Sequence, residues 1–146
     1  MIYLPSIIEE LMSCGYPEIR LVKMGFGYEH LRTIHAGSYR NNGGWEILID
    51  SRLERSKRSV VRGITSHELS HVLKDRKLNK SAWRKDKRLY KTRLYRELKE
   101  KDTDLDVIIR GHGEDLLSYK MFEVSTGHEV TGLSVYETKK LIRQSK

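Results

Sequence analysis

The 146-residue chain is poor in the residues that staple, break or span: it holds one cysteine and two prolines. A lone Cys14 cannot close an intrachain disulfide, and a zinc site of four thiolates is excluded. Apolar runs are only a few residues long, so no segment is expected to cross a membrane. The opening Met1–Glu10 stretch has neither the basic start nor the long apolar core of a secretory signal. An unpaired thiol without such a signal fits a reducing, cytoplasmic location. Internal repeats and low-complexity linkers are also missing. A single domain over residues 1–146 is therefore expected, long enough to bury a modest core without metal or disulfide.

What is abundant is positive charge. The formal net charge is +8, but it is concentrated. Residues 74–101 contain 13 Lys or Arg against 4 Asp or Glu, and the remainder is close to neutral. That pattern describes a near-neutral body carrying one basic, helical insertion. Trp83, Tyr90, Leu94 and Leu98 recur in it at helical spacings, which predicts an apolar face packed on the body. Interleaved Trp83, Tyr90 and Tyr95 would also suit DNA or RNA, through phosphate contacts and stacking, and an acidic protein partner is a third option.

Elsewhere the periodicity alternates between two types. The first segment reads as a helix opened by Pro5-Ser6, with Ser6 and Glu9 at capping-box spacing and Gly15 at its end. Residues 18–26 and 28–39 read as strands. The Asn41–Gly44 run is a turn, and Trp45, Ile47 and Ile49 then alternate as the buried face of a third strand. From about Ser59 to Lys74 the period is helical. Lys101–Asp106 reads as a polar loop, Val107–Ile109 as a short strand or the approach to a helix, and two further helices are expected near 114–123 and 133–143. The sum is an α+β fold, a small and mostly antiparallel sheet packed on helices.

The chemistry lies in Thr65-Ser66-His67-Glu68-Leu69-Ser70-His71-Val72-Leu73, an H-E-x-x-H on the central helix. Residues at i and i+4 project from one helix face, so His67 and His71 can offer ring nitrogens to one ion. Glu68 adjoins the first ligand and can act on a zinc-activated water without binding zinc itself. In this composition the pattern would arise by chance about once in fifty such chains. A catalytic zinc needs a third protein ligand and an open fourth position. His112, between Gly111 and Gly113, is the leading candidate, with the carboxylates of Glu114 and Asp115 as competitors. His30 and His35 read as strand residues on the surface or in packing. His128 follows Gly127 in a turn, and only its residue type suggests an oxyanion donor.

The stretch Gly44–Asp50, the H-E-L-S-H helix and His112-Gly113-Glu114-Asp115-Leu116 resemble elements of zincin-fold metallopeptidases. Within these, the likeness is to the small SprT-like group and similar phage metallopeptidases, and it covers roughly residues 17–122. The resemblance implies a zincin-like fold, zinc bound by His67, His71 and His112, and Glu68 as general base. It also implies cleavage of protein or peptide substrates held along a strand near 45–50 that borders the cleft. The chain departs from that pattern in three places. The interval from His71 to His112 is long, Leu116 stands where an aromatic is usual, and no cysteine-rich ribbon follows. ImmA-like peptidases are a neighbouring resemblance, and their downstream carboxylate ligand would favour Glu114 or Asp115. Two other classes stay open: a nucleic-acid-binding domain with structural or no zinc, and a catalytically silent zincin scaffold.

Overall fold

The computed structural model describes residues 1–146. Six helices, α1 (Leu4–Ser13), α2 (Arg58–Asp75), α3 (Lys80–Leu89), α4 (Arg93–Ile109), α5 (Gly113–Ser125) and α6 (Val135–Gln144), surround a three-stranded sheet. Its strands are β1 (Met24–Glu29), β2 (Ala36–Asn41) and β3 (Gly44–Asp50), in the order β1-β3-β2. The fold class is α+β. No helix is long and apolar enough to cross a membrane.

The sheet is mixed rather than mostly antiparallel: β1 runs parallel to β3 and β2 antiparallel to it. The β2–β3 hairpin turns through Asn42-Gly43, though neither residue takes the positive φ of a primed turn. On β3, Trp45, Ile47 and Ile49 point into the core and Glu46 to solvent, as the alternation requires. Since β3 is the central strand, it cannot border a cleft by a free edge. The free edge that does so belongs to β2.

Several local expectations change. Residues 17–21 form a 3₁₀ turn, and the first strand starts only at Met24. Ser6 and Glu9 do not cap α1. Pro5 sits in the first turn, the helix begins at Leu4, and the Ser6 hydroxyl donates back to the Tyr3 carbonyl. A true capping box stands at Ser134 and Glu137, opening α6. Lys101–Asp106 is not a loop, nor Val107–Ile109 a strand, because α4 runs through both.

The principal core gathers α1 (Ile7, Leu11), Tyr16, the inner face of β3, and Val61, Leu69 and Val72 of α2. α2 is covered on nearly every side. Its apolar residues face the sheet and α1, and His67 and His71 face α4. Gly63 lets α5 approach closely, since a Cβ there would lie 2.2 Å from the Asp115 carbonyl oxygen. Of the basic segment's apolar residues, Trp83 packs against the core and Tyr90 is half-buried, whereas Leu94 and Leu98 are exposed.

Candidate metal centre

α2 brings His67 and His71 together on one face, with their Nε2 atoms 3.1 Å apart. The third group facing them is neither His112 nor a carboxylate of α5. It is Glu100, in the middle of α4, whose Oε2 lies 2.8 Å from His67 Nε2 and whose Oε1 lies 3.0 Å from His71 Nε2. Ligand atoms about 2.0–2.1 Å from a tetrahedral zinc stand about 3.3 Å from one another. The two histidine nitrogens stand close to that edge, one ligand atom from each of the three residues lies within 4.8 Å of the others, and the two-nitrogen, one-carboxylate donor set suits zinc.

Hydrogen bonds fix these donors from behind. His67 Nδ1 donates to Asp104 Oδ1 at 2.8 Å, which turns its Nε2 toward Glu100. The other oxygen of Asp104 accepts from Lys120 Nζ at 2.7 Å and from the Leu133 amide at 3.0 Å. One buried carboxylate thus joins α2, α4, α5 and the loop before α6. Tyr90 donates its phenol to Glu100 Oε1 at 2.6 Å. A ligand imidazole whose far nitrogen donates to a carboxylate is the usual support of a metal site.

The electrostatics point the same way. Burial disfavours an imidazolium at His67, but Glu100 and Asp104 outweigh it and hold the pKa well above the ordinary histidine value. Burial would raise Glu100, and His67 reverses this, drawing the carboxyl far below the usual range. With Nδ1 committed to Asp104, His67 Nε2 faces the Glu100 carboxylate and the His71 ring nitrogen. The cluster therefore calls for a positive charge at its centre, a proton on His67 or a metal ion.

The site opens into a cavity of about 480 Å³. Glu68, buried to 6% exposure, lines it beside His67, His71 and Glu100. β2 contributes Ala36–Tyr39 to the wall, the basic helices contribute Lys87, Arg96 and Lys99, and α5 contributes Tyr119, Lys120 and Glu123. The basic segment is thus more than a charged insertion: it places Glu100 against the motif histidines.

His112 serves elsewhere. One ring nitrogen, Nε2, donates to the Cys14 carbonyl, and the ring stacks on Tyr16 at a centroid separation of 5.7 Å. It fills the space left by Gly15, whose φ of +100° ends α1 and where a Cβ would come within 2.6 Å of the imidazole. Asp115 is held by Arg62 at 3.1 Å, and Glu114 is exposed beside Lys146. The structure brings none of the three to His67 and His71. His30 is exposed after β1, while His35 and His128 line the cavity away from α2. No protein-family model, curated protein or solved structure matches the chain.

Proposed function

We propose that this protein is a zinc-dependent peptidase, with the metal held by His67, His71 and Glu100 and with Glu68 as general base. The observation that supports it most is the convergence of both motif histidines and a buried carboxylate beside Glu68 on an open cavity. A zinc ion bound there would supply Lewis acidity to a scissile carbonyl and lower the pKa of water. Glu68 would take the proton from the attacking water and pass it to the departing amine. The β2 edge offers backbone groups along Ala36–Tyr39 to an extended substrate chain, in the manner of strand addition. Asp104 and Tyr90 hold His67 and Glu100 in place.

The zincin-like assignment belongs to the same proposal. A carboxylate as third ligand favours the ImmA-like form of the resemblance over the three-histidine form, with Glu100 in place of Glu114 or Asp115. Three protein ligands leave a fourth position free, which fits catalysis better than a closed structural site.

Glu68→Gln is the decisive variant. It should retain one equivalent of zinc and lose cleavage of a proteome-derived peptide library. Cleavage at the wild-type rate would remove Glu68 from its role. Stoichiometric zinc in a wild-type protein that cleaves nothing would favour the silent interaction scaffold.

A further inference from the structure

A second group of metal-binding side chains lies in the same cavity, outside the H-E-x-x-H centre. His35 immediately precedes β2, Glu123 is on α5, and His128 is in the loop after α5. One ligand atom from each lies within 4.8 Å of the other two. The two imidazoles are 4.1 Å apart between centroids and tilted by 31°. None of the three belongs to the motif, and the proposed peptide hydrolysis uses none of them.

One tautomer of each ring turns an electron pair toward the centre of the group. His128 Nε2 lies 3.1 Å from the Thr33 carbonyl and Nδ1 3.2 Å from the Glu129 carbonyl; in the tautomer that donates from Nε2 to Thr33, Nδ1 carries the lone pair. That Nδ1 lies 3.4 Å from Glu123 Oε2. On His35, Nδ1 bonds the Tyr119 phenol at 3.0 Å, and Nε2 takes no protein partner. The phenol in turn faces the Glu123 carboxylate. The nearest ammonium, Lys120, is already committed to Asp104 and to the Thr131 carbonyl. Two imidazoles and a carboxylate are a donor set for zinc or a similar first-row divalent ion, and the carbonyl and phenol behind the rings provide the outer support such ligands require.

We infer that His35, Glu123 and His128 form a second divalent-cation site. An ion there would tie the irregular segment before β2 to the loop after α5. Those two segments form one stretch of the cavity wall, joined directly by the His128–Thr33 hydrogen bond. The site would act as a clamp on the cavity rim, independent of the ion held by α2 and α4.

The test is metal stoichiometry, which needs no substrate. Chelator-stripped full-length protein is dialysed against buffered micromolar Zn²⁺ and analysed for bound metal. Wild type should hold two equivalents, and His128→Gln and Glu123→Gln one each. Glu100→Gln should also hold one, and combining it with His128→Gln should leave none. His128 is about one-third exposed in a loop, so its replacement spares the core, and a circular-dichroism melt confirms the fold. One equivalent in both wild type and His128→Gln overturns the second site and leaves the α2–α4 centre standing. Two equivalents in both also overturn it, because the extra ion then sits elsewhere. One equivalent in wild type that disappears in His128→Gln supports the second site while refuting the first.

Discussion

Glu100 and His112 exchange the roles that their neighbourhoods in the chain suggest. His112 sits among glycines in a run that looks built for a ligand, yet its ring is spent on the Cys14 carbonyl and the face of Tyr16. Glu100 sits in a charged helix and looks solvated, yet it is 4% exposed and meets both motif histidines. The two assignments part experimentally. Glu100→Gln should reduce zinc binding at the α2–α4 centre from stoichiometric to undetectable at micromolar free metal. His112→Ala should keep that zinc and lose about 1–3 kcal/mol of stability, as the buried ring loses its packing on Tyr16 and its hydrogen bond to Cys14. Metal analysis and urea denaturation of the two variants check both halves. The H-E-x-x-H itself was fully legible, because its spacing is a property of one helix. Its third partner was not, because no local pattern links residues 71 and 100.

At the scale of the element, α4 explains that blind spot. Its buried residues are Glu100, Thr103, Asp104, Val107 and Ile108, an uninterrupted helical stripe at i, i+3, i+4, i+7 and i+8. Three of the five are polar because the first turns of that stripe face His67 and His71 rather than a hydrocarbon core. A periodicity search that scores apolar residues sees only its last two members, and so the run from Lys101 reads as a loop. A stripe search that also accepts Glu, Asp and Thr would have found Glu100 and Asp104 together. α2 was legible for the opposite reason: its apolar face is continuous and β3 alternates in step beneath it. The contact between α2 and α5 depends on Gly63. Gly63→Ala gains about 1 kcal/mol in helix propensity. It also drives a methyl into the Asp115 backbone, an overpacking that costs about 1–3 kcal/mol. Because the obstacle is backbone, not the end of a flexible side chain, the net effect should be destabilising. A lower urea midpoint with unchanged m-value would show it.

For the molecule as a whole, the metal-free protein should have a stability profile set by the His67–Glu100 pair. The raised His67 value gives stability that is complete below its ordinary pKa of 6.5 and is lost as pH rises through the folded value. The depressed Glu100 value gives stability that is complete above 4.5 and is lost as pH falls. In chelator, urea midpoints should therefore be highest between those values and fall as pH rises through the folded His67 value. Saturating zinc should abolish the alkaline fall, since the ion takes the place of the proton at Nε2. A flat profile in chelator would contradict the pairing. The basic segment also acts at this scale. Three of its four acidic residues, Asp75, Asp86 and Glu100, are buried in inward-facing pairs, while seven of its thirteen bases are exposed. The uncompensated charge therefore lies on the outer surface of the helices whose inner surface lines the cavity. Such a field acts over a Debye length of about 8–10 Å and governs arrival more than residence. A polyanion nearing that side of the molecule should arrive faster in dilute than in concentrated salt, whereas a neutral chain should meet the cavity at the same rate in both.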